Sequence, residues 1–257
     1  MDLSDPHTLR TFLSVYGTLP RAGPGGDEHT LRALSLVPGD PPRTVLDLGC
    51  GPGAQTLALA RALPQATILA LDVVPAMVQE TERRMRQAGL GDRVTAGVGD
   101  MAAPEVDPKS QQLIWCEGAI YFLGVSRALN LWRPLLADGA AVAFTEATWF
   151  RPSPPDELRK WWLSQHPSMT DDAGVRLAIE EASFRTVDSF RLPADAWWDE
   201  YYRPMLDRIE ELRARLPNDP AAAEVIASAE EEIGYFRRFS DWYGYTFFIV
   251  QPAGTQS

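Results

Sequence analysis

Thr44-Val-Leu-Asp-Leu-Gly-Cys-Gly-Pro-Gly-Ala-Gln-Thr-Leu-Ala-Leu-Ala60 reads as a buried strand, a glycine turn and an amphipathic helix, and it decides the fold. A parallel strand is a short apolar run, and Val45 to Leu48 fits, with Asp47 the one carboxylate near its carboxyl end. Gly49, Gly51 and Gly53 let the backbone turn sharply and approach a ligand, because no Cβ intervenes. The helix from about Ala54 turns Leu57, Leu59, Ala60 and Leu63 toward the sheet, and its free N–H groups point back at the turn.

The next three strands narrow the ligand. A second strand, Thr67 to Leu71, ends in Asp72, about 20 residues beyond the turn, where nucleotide-binding α/β units place an acid on ribose hydroxyls. A third strand, Val94 to Gly97, leads to Gly99-Asp100-Met101, an acid and an apolar side chain suited to the edge and face of an adenine. Strand 4, Gln112 to Cys116, delivers Glu117-Gly-Ala-Ile-Tyr121 to the same sheet edge. Ligands of open α/β sheets bind outside those carboxyl ends, where strand order reverses.

From Arg43 to Thr145 strands and helices alternate, which implies a doubly wound α/β sheet with right-handed connections. The second helix, Pro75 to Ala88, sets Met77, Val78, Thr81, Met85 and Ala88 on one face. After strand 4 come a helix over Val125 to Leu136, a turn at Ala137-Asp-Gly139 and strand 5, Ala140 to Thr145. Phe150 to Pro155 then breaks the alternation, and Asp156 to Gln165 reads as a short helix carrying Trp161 and Trp162. Asp171 to Ala182 and Thr186 to Leu192 restore a helix and strand 6. Between Pro193 and Ser240, Met205, Ile209, Leu212 and Leu216 form one apolar stripe and Ile226, Ala229, Ile233 and Phe236 another, the pattern of a helical hairpin. The final strand is Tyr243 to Val250.

These motifs together resemble a class I S-adenosylmethionine (SAM) dependent methyltransferase. The resemblance extends to Arg21-Ala-Gly-Pro-Gly25, Trp115 to Gly124, Thr145 to Phe150 and Tyr243 to Val250, which are similar to a bacterial group of methyltransferase-like proteins with mostly unassigned acceptors. It implies a Rossmann-like sheet of seven mostly parallel strands, the last antiparallel, with helical insertions as a lid. It implies a cover over residues 1–42, a SAM-binding core over 43–148 and 171–192, a lid insertion at 149–170, the hairpin at 193–240, and a closing strand and tail at 241–257.

Within this resemblance Asp47, Gly49, Cys50 and Gly51 face the methionine part of SAM, with Gln55 and Thr56 at its carboxylate end. Asp72 and Val73 take the ribose, Asp100 and Met101 the adenine, and Glu117 borders the cofactor. Asp47 has a second reading, since a carboxylate at a strand end equally ties down the next loop. Glu117 and Tyr121 are the catalytic candidates, Glu117 as a general base or acceptor ligand, with an exposed loop carboxylate as the alternative. Arg21, Trp149, Trp198 and Tyr202 are the acceptor-binding candidates, although a tryptophan in an insertion more often glues it to its domain.

Composition excludes some classes. A net charge of −11 over 257 residues, with no basic run, argues against nucleic acid. Cys50 and Cys116 at strand ends suit a reduced, cytoplasmic compartment, although the sheet order makes them neighbours and leaves a bridge open. The polar opening Met1 to His7 lacks signal-peptide regions, and no apolar run approaches a membrane span. His7, His29 and His166 lack metal-ligand spacing. The expectation is an enzyme methylating a small molecule. A SAM-binding module without turnover is the alternative, and a nicotinamide oxidoreductase is a third reading, because Gly49, Gly51 and Ala54 also satisfy the dinucleotide fingerprint.

Overall fold

The computed structural model describes residues 5–254, so the first four residues of the polar opening and the last three of the tail lie outside the described chain. Its sheet contains β1 (Thr44–Leu48), β2 (Thr67–Asp72), β3 (Val94–Val98), β4 (Gln111–Cys116), β5 (Leu136–Trp149), β7 (Phe184–Arg191) and β8 (Tyr243–Pro252), in the order β3-β2-β1-β4-β5-β8-β7. β8 runs antiparallel to both its neighbours and the remaining pairs are parallel. The expected seven-stranded architecture is therefore the observed one. A two-residue β6 (Thr170–Asp171), too short to leave a pattern in the sequence, adds to β5.

Helices cover both faces, so the central strands bury alternate residues on opposite sides. Leu46, Ile114, Val142 and Phe248 pack with Leu129 and Trp132 of α5 (Val125–Trp132) and Ile179 of α7 (Asp172–Glu181). Their chain neighbours Val45, Leu113, Ala141 and Phe247 face the other way. They pack with Ala33 of α2 (Asp27–Ser35), Leu59 of α3 (Ala54–Ala62) and Met85 of α4 (Pro75–Gln87).

A third core lies at the end of the sheet. It joins α1 (Pro6–Tyr16), α6 (Asp156–Gln165), α9 (Arg203–Arg215) and α10 (Pro220–Phe239) to Ala147 of β5 and Tyr243 of β8. Met205, Ile209 and Leu212 on one hairpin arm and Ile226, Ala229, Ile233 and Phe236 on the other are buried. The sequence pattern leaves unmarked the turn α8 (Asp195–Trp197) and the π-helical turn Trp198–Tyr202 that lead into the hairpin.

Three boundaries differ most from the sequence reading. α5 stops at Trp132, because Pro134 has no N–H to donate, and the chain tightens into a 3-10 turn over Arg133–Leu135. The turn read at Ala137-Asp-Gly139 lies inside β5, whose pairing with β4 shifts register between Gln111 and Leu113, and Gly139 accommodates the distortion at φ 77°. β5 then continues to Trp149, well past the expected Thr145. The two cysteines are buried free thiols. Among the described residues no helix is long and apolar enough to cross a membrane.

Candidate functional site

Strand order reverses between β1 and β4, and the glycine turn leaves β1 at that point. Gly49 and Cys50 donate their N–H groups to Leu71 O at 2.8 and 3.0 Å, which stitches the turn to β2. Gly49 has φ 72°, and a Cβ there would lie 2.5 Å from Ala119 Cβ. Gly53 has φ 84°, and a Cβ there would lie 2.6 Å from Thr81 Oγ1. At both positions glycine is required by backbone conformation and by close approach. The Thr81 hydroxyl donates to Gly51 O at 2.9 Å, tying the turn to α4. No side chain caps the first turn of α3, so that end keeps free N–H groups.

Above this turn is a cavity of about 440 Å³. Arg21, Gly49, Cys50, Gly51, Gln55, Asp72, Val73, Asp100, Met101, Glu117 and Tyr121 all line it. Asp72 accepts from Gly51 N at 2.9 Å and from Val74 N at 2.8 Å, so its carboxylate is fixed while spare lone pairs remain. Asp100 accepts from Ala102 N at 2.8 Å, and Trp132 Nε1 donates to Met101 O at 2.8 Å. This second acid and its apolar neighbour are thereby held at the rim.

Asp47 and Thr56 do not line the cavity. Asp47 is fully buried beneath the turn, accepting from Thr56 Oγ1 at 2.5 Å and from Gln55 Nε2 at 3.5 Å. Burial pushes its carboxyl up to about 7, opposed by the Thr56 hydrogen bond and aided by the Glu117 charge. Of its two readings, geometry favours the tie that orders the start of α3. Burial, followed by the charge of Asp47, pushes both thiols well above their usual range, so neither is a poised nucleophile.

Glu117 is neither exposed nor free. Its side chain is 7% exposed and pairs with Arg21, itself 3% exposed, at 3.0 Å. Thr30 Oγ1 and Trp115 Nε1 donate to its other oxygen at 2.7 and 2.8 Å. Both oxygens are thus already taken up by a guanidinium and two further donors, which leaves little room for service as a general base. It is instead the anchor for Arg21, which also meets Asp27 at 3.0 Å and Glu200 at 3.3 Å. Arg21 thus ties the loop between α1 and α2 to the end of β4 and to the π-helical turn.

A second cavity of about 230 Å³ adjoins the first and shares Ala22, Gly23, Pro24, Gly118 and Tyr121 with it. Tyr202 lines this second cavity, and Tyr121 stands at the junction with a buried hydroxyl whose acidity burial suppresses. Trp149 and Trp198 line neither. Both pack on the third core, Trp198 against Tyr202 and Phe236 with Arg237 over its ring, so these candidates are corrected to structural contacts.

Three residues of the second cavity's surroundings were missed by sequence reasoning. His166, which closes α6, meets Glu146 of β5 at 2.6 Å in a buried pair, and that juxtaposition has no local signature. Glu232 lines the cavity and accepts from the Tyr202 hydroxyl at 3.1 Å. Its signal was present, since it lies three residues after Ala229 and four before Phe236, on the apolar stripe of α10. Among the described residues no group of three or more His, Cys, Asp or Glu is placed to hold a metal ion.

Comparison with known proteins bears on the same region. A family model described as a methyltransferase domain matches residues 45–139. A trans-aconitate 2-methyltransferase of Mycobacterium sp. (strain KMS) is 48% identical over 59 residues, 23% of this chain and 23% of that protein. The match therefore spans about a quarter of that relative's length. Over the whole molecule the likeness is one of fold. A SAM-dependent methyltransferase from Geobacter sulfurreducens in complex with S-adenosylhomocysteine superposes with a TM-score of 0.83, at 22% identity over 95% of this chain and 98% of that one. A SAM-dependent methyltransferase from Thiobacillus denitrificans, also in complex with S-adenosylhomocysteine, gives 0.81 at 20% identity, over 98% and 100%.

Proposed function

We propose that this chain, a member of the class I methyltransferases by its domain and its fold, binds SAM in the larger cavity and transfers the methyl group to a small organic acceptor in the adjoining one. The observation that carries the reading is the lining of the larger cavity. A glycine turn that no Cβ fits, Asp72 fixed by two backbone N–H groups and the Asp100-Met101 pair converge where strand order reverses. The relatives with S-adenosylhomocysteine in their structures share this fold, which supports the choice of cofactor.

In this reading the turn, with the free N–H groups of α3 and Gln55, receives the amino-acid end of the cofactor. Asp72 accepts from the ribose hydroxyls. Asp100 takes the adenine edge, and Met101 packs on its face. When bound, SAM supplies an electrophilic methyl on a positively charged sulfur. The chain's own residues then align, exclude water and orient. Gly118 and Tyr121 form the passage between the cavities, so the acceptor approaches the methyl there. Arg21, locked onto Glu117, holds the loop Ala22-Gly-Pro24 over both cavities.

Calorimetric titration with SAM and with S-adenosylhomocysteine tests the reading. Saturable binding of both at one site per chain is the expected result. Absence of any binding would refute it.

A further inference from the structure

We infer that the acceptor carries an organic ammonium group, seated in the second cavity against Glu232 and walled by Trp161, Trp162, Trp197 and Tyr202. This rests on the reading of the larger cavity as the SAM site, and it concerns the partner side that no relative's match assigns.

Charge is the first argument. Among the described residues the second cavity is lined by two carboxylates, Glu231 and Glu232, and by no Lys or Arg. Its histidine, His166, is engaged with Glu146 at 2.6 Å. Glu231 lies at the exposed rim, where Trp161 Nε1 donates to it at 3.2 Å. Glu232 makes no ion pair among the described residues, and its partners are the hydroxyls of Tyr202 and Tyr201. A half-buried carboxylate among aromatic rings without a cation is costly, and desolvation accordingly pushes it up to about 7. A bound cation removes that cost. An anionic acceptor would face both glutamates with nothing to balance it.

The walls make the same selection. Trp162 meets Tyr243 edge to face at 4.9 Å between ring centres, and Trp197 meets Tyr202 at 5.8 Å. Rings set at angles around a small space present faces that attract an ammonium and tolerate its alkyl groups. Trp162 and Tyr243 also bring their indole N–H and hydroxyl toward each other in this wall. Both residues line the cavity.

The test titrates choline into the full-length chain saturated with S-adenosylhomocysteine, read by tryptophan fluorescence and calorimetry. Its uncharged isostere 3,3-dimethylbutan-1-ol is run in parallel. Choline should saturate, with the isostere weaker by about tenfold or more. Glu232→Gln should weaken choline by at least about tenfold while S-adenosylhomocysteine affinity stays within about twofold. Equal binding of the two probes, no saturation by choline, or loss of choline binding once the larger cavity is filled would each overturn the inference. The comparison of probes on the unmutated chain decides the matter even if the variant does not fold. Binding of S-adenosylhomocysteine is read separately, so a failed cofactor site and a failed ammonium site give different results.

Discussion

Replacing Arg21 by Met keeps the aliphatic stem but removes the guanidinium, and it should cost more stability than removing its partner. The reason lies in an unequal distribution of charges. Among the described residues Arg21 has three carboxylates around it, Glu117, Asp27 and Glu200, whereas Glu117 has Arg21 as its one ion-pair partner. The Asp27 and Glu200 side chains are 53% and 42% exposed, so water resolvates them when the cation goes. Glu117, at 7%, cannot recover in that way. Breaking a buried pair from the side that strands a charge costs about 3–5 kcal/mol, and the solvated members put Arg21→Met near the lower end, about 3 kcal/mol. Glu117→Gln leaves Arg21 two carboxylates and keeps acceptors for Thr30 and Trp115, so about 1 kcal/mol is expected. The double variant strands nothing, and the cycle should return a coupling of about 2 kcal/mol. Urea unfolding of all four proteins near neutral pH supplies the numbers. A cost for Arg21→Met no larger than that for Glu117→Gln, or a coupling under about 0.5 kcal/mol, would refute the reasoning.

Gly49→Ala should destabilise by more than about 2 kcal/mol, since the left-handed backbone alone costs about 1–2 kcal/mol and the new Cβ would meet Ala119 at 2.5 Å. Gly51→Ala, whose nearest obstacle is Ala22 Cβ at 3.2 Å, should cost less, and thermal unfolding of the two variants gives the order. Asp72→Asn should weaken S-adenosylhomocysteine by about tenfold or more in calorimetry while costing no more than about 1.5 kcal/mol of stability, because one of its two backbone hydrogen bonds persists. Burial pushes Asp47 up to about 7, so the folded chain holds a proton that the unfolded chain has already released. Stability should therefore fall as pH rises between about 4 and 7, by on the order of 3 kcal/mol from this group, and Asp47→Asn should flatten that slope in urea titrations across the range.

The sheet and the position of the larger cavity were legible because their signals are local. Glycines at alternate positions, an acid at a strand end and consecutive residues facing opposite sides of the sheet are each read from a single short stretch of chain. The roles of Asp47 and Thr56 were not legible in the same way. Whether a carboxylate faces a ligand or ties a helix depends on a side-chain torsion, and a strand-end position permits both. Trp149 and Trp198 were misplaced for a related reason. Aromatic residues in an insertion pack or line a pocket according to which face of a helix or turn they occupy, and the π-helical turn at Trp198 shifts that face. The pair of His166 with Glu146, and Arg21 with Glu117, join elements far apart in sequence, so only the folded chain brings them together. Glu232 could have been noticed as a charge interrupting an apolar stripe.

The insertion of β8 between β5 and β7 has a consequence for the order in which the molecule can be assembled during synthesis. The lining of the larger cavity is complete at Leu123, so a growing chain carries every residue of that cradle before β5 is made. The smaller cavity needs Tyr243 and Tyr245, on the last strand in sequence. Until that strand is made, β7 has no neighbour to pair with and β5 keeps an open edge carrying Phe144. A nascent chain therefore passes through a stage that carries the larger cavity's lining and not the smaller one's. Truncation before Tyr243 would leave it there, with an apolar edge exposed to other chains.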